Sequence, residues 1–183
     1  MTANTKECWR VDLVVHEILP ARELLFWCLD HQSVDRMLVV VRMEQQGNCY
    51  FTPRELQRLP RSLFGRNVLD DFRASEWPGT KLIGHPRHVF VVKFDESVAE
   101  VILRTEPRLN KWLYPSNRPL PEGICLFNSS ADAPTLISVT HENLYWLLAE
   151  QNPKLAGVRE SKTPPAELYS PGQYFSQRWI KGK

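Results

Sequence analysis

The densest group of chemically useful side chains is a row of arginines in the middle of the chain. Arg54, Arg58 and Arg61 recur at i, i+4 and i+7, the spacing that places side chains on one face of a helix. The row requires that Pro60 kink this helix rather than end it. Other basic residues follow: Arg66, Arg73, Lys81 and Arg87. Such a surface suits phosphates or an acidic protein, and the alternative is an ordinary solvated helix face.

Histidines offer a second kind of chemistry. His85 and His88 form the closest pair, and on a helix this pair could share a metal ion. Pro86 and the strand predicted after it favour an extended backbone, which points the two rings apart. We therefore predict no metal and no cofactor, and keep His85 and His88 as the candidates should a metal bind. An enzymatic pocket would draw on several histidines: His16, His85, His88 and His141.

Sequence motifs for nucleotide chemistry and for nucleophilic catalysis are missing. The 8 glycines form neither a G-x-G-x-x-G fingerprint nor a Walker pattern. No segment resembles a nucleophile elbow or a catalytic-cysteine motif. These absences favour a protein that is not an enzyme.

The chain is rich in tryptophan, with 6 residues. Three of them lie on strongly apolar segments and are expected in the core: Trp9, Trp27 and Trp146. Trp77, Trp112 and Trp179 lie in or beside loops, where a large ring either fills a gap between elements or anchors a partner. We carry the second interpretation as a hypothesis for these three residues.

Charge and cysteine usage bound the class of protein. The net charge is +2, far from that of a polybasic protein, although residues 54–94 and 154–183 are locally basic. The 4 cysteines have no zinc-ligand spacing, and Cys28 and Cys125 lie in apolar runs. Buried free thiols in a reducing compartment are therefore expected. No apolar signal core or membrane span is present in the sequence, so we predict a cytoplasmic protein without a membrane partner.

The first part of the chain predicts the element order β-α-β-β-α. The elements are a strand over 9–15, a helix over 20–31, strands over 37–43 and 49–51, and a helix over 52–64. Thr52 and Glu55 have the spacing of a capping box that starts the last helix. Residues 65–86 then lack clear periodicity and predict a long connection with one helical turn over 68–72.

The second part repeats this order. It has a strand over 88–94, a helix starting near Ser97 with Asp95 as a competing N-cap, strands over 124–127 and 135–139, and a final helix over 140–152. Thr140 is the predicted N-cap of that final helix, and Pro153 is expected to end it. Residues 153–183 contain proline pairs and aromatic side chains, which favour an extended strap or a tail.

These patterns predict an α+β protein built from two similar β-α-β-β-α halves. The sheet is expected to be mostly antiparallel, with helices packed on one face. The predicted segments are a first half, 1–64, a connecting loop, 65–86, a second half, 87–152, and the C-terminal strap or tail, 153–183. The two halves could also pack as a single domain.

The predicted function is binding of another protein, as an inhibitor or immunity-type protein would do. The residues expected to form the contact are Arg54, Arg58, Arg61, Arg66, Trp77, Trp112 and Trp179. One alternative is nucleic-acid binding by the Arg54–Arg87 region and the basic tail. The other is an enzyme with a pocket between the halves. The sequence does not indicate an oligomeric state.

Overall fold

The structure, a computed structural model, describes residues 8–11, 21–41, 53–78, 80–81, 85–106, 123–129, 134–139 and 144–148. The helices within these ranges are α1 (Ala21–Gln32), α2 (Pro53–Phe64) and α3 (Glu96–Thr105). The strands are β1 (Cys8–Val11), β2 (Arg36–Val41), β3 (Val68–Ala74), β4 (Glu76–Trp77), β5 (Thr80–Lys81), β6 (Arg87–Lys93), β7 (Gly123–Phe127), β8 (Pro134–Val139) and β9 (Leu144–Leu148). The predicted mixture of helices and strands is confirmed.

Seven of these strands form one sheet in the order β1-β9-β8-β7-β2-β6-β3. Every neighbouring pair is antiparallel, as predicted. Strand β2 lies inside the sheet, where Val39 is opposite Phe90 of β6 on one side and Ile124 of β7 on the other. Strands β4 and β5 form a separate two-stranded hairpin.

One face of the sheet, here called the helix-side face, shares a single apolar cluster with the three helices. The strands contribute every second residue, for example Met37, Val39 and Val41 of β2. The helices contribute buried residues at helical spacing: Leu24, Leu25 and Cys28 of α1, Leu56 and Phe64 of α2, and Val98, Ala99 and Ile102 of α3. The amphipathic pattern of each helix thus determines which side meets the strands.

The second face of the sheet is apolar as well. Its buried residues are Leu38 and Val40 of β2, Val89 and Val91 of β6, Cys125 and Phe127 of β7, and Ile137 of β8. Trp77, from the β4–β5 hairpin, packs into this cluster and is 4% exposed. The central strands therefore read as continuous apolar runs instead of alternating ones, because both of their faces are covered.

Local signals explain where the helices begin and how they continue. The Asp95 side chain accepts a hydrogen bond from the Val98 N–H at the start of α3 (3.2 Å). Helix α2 passes through Pro60 and ends at Phe64, and the next residue, Gly65, has a φ of 55°, the left-handed conformation that glycine adopts without strain. The condition for the arginine row, a helix continuing beyond Pro60, is therefore met.

None of the helices in the described ranges has the length and apolarity needed to cross a membrane.

The predicted helix over 140–152 is wrong where the structure describes it. Residues 144–148 form strand β9, which pairs with β8 and with β1. The segment L-Y-W-L-L is a short apolar run, and such a run fits a buried strand as well as a helix. Pairing with two neighbouring strands stabilises the strand conformation of this segment. The local sequence does not show that pairing.

The predicted loop over 65–86, with its helical turn over 68–72, is also wrong in part. Residues 68–74 form strand β3 at one end of the sheet. The register of β3 on β6 shifts between Val68 and Asp70, the sign of a β-bulge. A bulge interrupts the two-residue alternation of side chains along a strand. Asp70 and Asp71 are also both charged, whereas the alternation needs an apolar residue at one of the two positions, so the sequence pattern does not indicate a strand.

The predicted duplication stays a prediction. β1-α1-β2 and β6-α3-β7 share one order, but β2 lies between β6 and β7 in a single sheet, whereas β1 pairs with β9 alone among the described strands. The predicted strand over 49–51 and the strap or tail over 153–183 lie outside the described residues.

Trp77 provides a test of the second face. Trp77→Ala is expected to lower the free energy of unfolding by about 3 to 5 kcal/mol, because it removes a large buried ring. Leu69→Ala, at a side chain that is 43% exposed, serves as the control and is expected to cost about 0.5 kcal/mol or less. Urea unfolding followed by circular dichroism measures both variants. Equal losses for the two would contradict the packing of Trp77 under the sheet.

Candidate functional site

The arginine row lies on the solvent side of α2. Arg54, Arg58 and Arg61 are all exposed, and Arg66, in the turn after the helix, is exposed as well. These four residues are called the arginine face below. The opposite side of α2 is fixed in the apolar core by buried residues that include Leu56 and Phe64. The i, i+4, i+7 spacing therefore predicts the exposed row correctly.

One carboxylate connects this face to the sheet. Arg61 forms an ion pair with Oδ2 of Asp71 on β3. Oδ1 of the same carboxylate is 2.7 Å from Nε2 of His88 on β6. Side-chain exposure falls from 58% for Arg61 to 29% for Asp71 and 7% for His88. Asp71 is thus the link between a surface cation and a buried imidazole.

The link determines the charge of Asp71. Partial burial acts to raise the pKa of the Asp71 carboxyl, but the hydrogen bonds from His88 and Arg61, together with coulombic interactions with these two residues, outweigh it. The pKa of Asp71 therefore lies below its usual value of 3.8. An ionised carboxylate can only accept hydrogen bonds. Nε2 of His88 therefore carries a hydrogen and donates a hydrogen bond to Asp71.

The other side of the His88 ring is enclosed. Its Nδ1 atom is buried and has no hydrogen-bond partner among the described residues. The ring stacks on Phe90, with centroids 4.5 Å apart and an interplanar angle of 29°. The geometry holds His88 in one orientation, with Asp71 as the polar partner that fixes it.

The link fixes one end of the arginine row at the sheet. Arg61 reaches Asp71 on β3, and Arg54 and Arg58 share its helix face. Arg73 of β3 is exposed and lies directly opposite His88 in the register. The structure therefore gathers an exposed basic surface around an end strand of the sheet.

The remaining predicted basic and aromatic residues lie elsewhere. Arg87 is 6% exposed, so it is not part of the basic surface. Trp77 is buried on the second face, the position of a ring that fills a gap between elements. Trp112, Trp179 and the basic tail lie outside the described residues, as does the side chain of Lys81.

The histidines do not assemble a metal site within the described part of the chain. His85 is exposed and His88 is buried, and no group of three His, Cys, Asp or Glu residues in that part could hold a metal ion. His16 and His141, the other histidines of the enzymatic alternative, lie outside the described residues.

The two described thiols are poorly suited to nucleophilic chemistry. Cys28 and Cys125 are free and buried, as predicted. Burial raises the pKa of the Cys28 thiol far above its usual range. Burial also raises the pKa of Cys125 to about 12, although a hydrogen bond at Ser138 acts in the opposite direction. Neither residue forms the thiolate that a reactive cysteine needs at neutral pH.

Comparisons with protein-family models, with curated proteins and with solved structures found no match. The geometry of the arginine face and its link to the sheet are the features that bear on function.

Sequence reasoning missed Asp71. Asp71 lies 10 residues from Arg61 and 17 residues from His88 along the chain, so no local spacing reveals the link. The one local signal is the pair Asp70-Asp71 inside a segment that also contains four apolar residues and Arg73. A partly buried carboxylate usually has a cationic partner.

Asp71→Asn tests the link through stability. Because the pKa of Asp71 is lower in the folded state than in the unfolded state, its stabilisation is fully present above about pH 4 and is lost as the pH falls through the folded-state pKa. At pH 7 the variant is expected to lose about 1 to 2 kcal/mol of unfolding free energy, and this difference should narrow steadily below about pH 4.

Urea titrations at several pH values measure the effect of Asp71→Asn. Asp30→Asn, at an exposed position near the end of α1, is the matched control and should change stability little at any pH. A loss for Asp71→Asn that stays constant from pH 7 to pH 3 would show that charge is not what stabilises the link.

Proposed function

We propose that this chain is a protein-binding module whose arginine face holds an acidic surface of its partner. The observation that carries the proposal is that three exposed arginines share one side of α2, that the exposed Arg66 follows in the next turn, and that Arg61 is held in place by Asp71. A fixed set of cations is a better anion receptor than the same residues on a mobile loop, because less conformational entropy is lost on binding.

The residue type supports an acidic protein as the partner. Guanidinium groups form paired hydrogen bonds with carboxylates, and they are more weakly hydrated than the ammonium of lysine. An exposed charge contributes little to affinity alone, but several charges of one sign steer association and reject partners of like charge. Asp71 offsets the charge of Arg61, and the positive charge of the face then comes from the other three arginines.

Nucleic-acid binding is the second candidate, since guanidinium groups also bind phosphates. The same exposed row favours it. The burial of Arg87 and the presence of Asp70 and Asp71 beside the row count against it, because a phosphate backbone requires a continuous basic track.

The proposal also covers the similarity of the two halves, the packing of the helices and the location of the protein. The two halves are proposed to be similar only in the order β-α-β, seen in β1-α1-β2 and in β6-α3-β7. The helices are proposed to cover one face of the sheet throughout. A cytoplasmic location is proposed from the free thiols of Cys28 and Cys125, which suit a reducing compartment.

The double variant Arg54→Glu/Arg58→Glu tests the arginine face. The probe is a fluorescein-labelled peptide of ten glutamates, and fluorescence anisotropy measures its Kd. The double variant is expected to bind at least about tenfold more weakly, because two attractive charges become repulsive. Arg104→Glu, at an exposed arginine on α3, should stay within about twofold of the wild type. Equal weakening by both variants would reject the face as the binding site.

An oligonucleotide of ten uridines separates the two candidate partners. At equal salt, the wild-type chain is expected to bind the glutamate peptide at least as tightly as the oligonucleotide. The oligonucleotide affinity should fall steeply as salt rises, because phosphate binding releases counterions. The partner would instead be a nucleic acid if the oligonucleotide bound more than about tenfold tighter than the glutamate peptide and bound the Arg54→Glu/Arg58→Glu variant much more weakly.

A further inference from the structure

The outer edge of β3 runs beside the arginine face. β3 is the last strand in the sheet order, and among the described strands it pairs with β6 alone. Arg61 of α2 pairs with Asp71 of β3, and helical spacing places Arg54 and Arg58 on the same side of α2 as Arg61. The edge of β3 and the arginine face therefore meet at the Arg61–Asp71 ion pair.

The register shows which backbone groups of β3 point outward. Phe94, just after β6, donates its N–H to Asp35 O before β2 (2.9 Å), so the even-numbered residues of β6 direct their backbone groups toward β2. The odd-numbered residues of β6 then face β3. Asp71 lies opposite Phe90, and Arg73 lies opposite His88. Asp71 and Arg73 therefore direct their own N–H and C=O groups away from the sheet.

Part of this edge is closed. The Asp71 N–H donates to Oδ1 of Asp70 (2.8 Å), which occupies that outward donor. The bulge between Val68 and Asp70 disturbs the strand at the same end. Natural sheets use such devices to prevent unwanted edge pairing. The C=O of Asp71 and both backbone groups of Arg73 remain directed outward in the other half of the edge.

The side chains around the outward groups define the chemistry of a matching strand. On the helix-side face, an added strand would meet the arginine face and Arg73. On the second face, it would lie beside Phe72 and Ala74, which are partly buried and pack against the apolar cluster. Because side chains alternate between the two faces of a strand, the matching segment carries acidic and apolar residues in alternation.

We infer that the partner of this chain presents an extended segment of alternating acidic and apolar residues, which adds to the edge of β3 at Asp71 and Arg73 with its carboxylates against the arginine face. The inference rests on the proposed function and specifies the form of the partner. Backbone hydrogen bonds would supply part of the affinity, and the two rows of side chains would supply the specificity.

A pair of peptides tests the inference. The first is a fluorescein-labelled octapeptide of alternating glutamate and valine, and the second is the same peptide with N-methylated glutamates. In an antiparallel strand with its carboxylates on the helix-side face, the residues opposite Asp71 and Arg73 are glutamates, and their N–H groups point toward β3. Both peptides carry the same charge, but N-methylation removes the backbone donors along one edge. The parent peptide is expected to bind the wild-type chain at least about tenfold tighter than the methylated one, by fluorescence anisotropy. It should also slow the hydrogen exchange of the Arg73 amide.

A pair of protein variants gives an independent result. Arg73→Pro removes the outward N–H as well as the charge, whereas Arg73→Ala removes the charge alone. The parent peptide should bind Arg73→Pro at least about fivefold more weakly than Arg73→Ala. Circular dichroism shows whether Arg73→Pro is folded, and if it is not, the comparison of the two peptides on the wild-type chain decides.

The outcomes distinguish this inference from the proposed function. Equal binding of the two peptides, or failure of the parent peptide to bind, rejects strand addition. If binding of the glutamate peptide still depends on Arg54 and Arg58, the arginine face stands and its partner is not a strand. If that dependence is also lost, both proposals are wrong.

Discussion

The burial of β2 on both faces is the constraint on which the rest of the structure depends. Every side chain from Met37 to Val41 is at most 1% exposed. Three of these side chains point toward the helices and two point toward the cluster that holds Trp77. A strand like this is stable only when both of its faces are covered and both of its edges are paired. Strands β6 and β7 satisfy the edges, and they come from the second half of the chain.

The elements that could be predicted from the sequence are those with complete local signals. Helix α3 has its own N-cap in Asp95, and α2 has an apolar stripe on one side and arginines on the other. The central strands are apolar runs too short for helices. In each case the propensity, the periodicity and the end signals agree, so that tertiary contacts do not have to decide between alternatives.

The elements that could not be predicted are those that depend on distant partners. Strand β9 takes its structure from β8 and β1, and the apolar segment itself fits either period. Strand β3 contains a bulge, so its alternation fails at the position where a sequence pattern would be read. The candidate site divides in the same way. The arginine row follows from helical spacing, whereas Asp71 is brought to Arg61 and His88 only by the pairing of β3 with β6.

Asp70 and Asp71 are adjacent on β3, and their carboxylates have different partners. Asp71 pairs with Arg61 and His88, which fixes Arg61 at the sheet and offsets the charge of the carboxylate. Asp70 uses its carboxylate on a backbone N–H, which closes one end of the same edge. An edge that is closed at one end and basic at the other discriminates by repulsion as well as by attraction. A neutral strand gains no affinity from the arginines, and a basic strand is repelled by them. An acidic strand gains affinity both from backbone pairing at the edge and from attraction by the arginines.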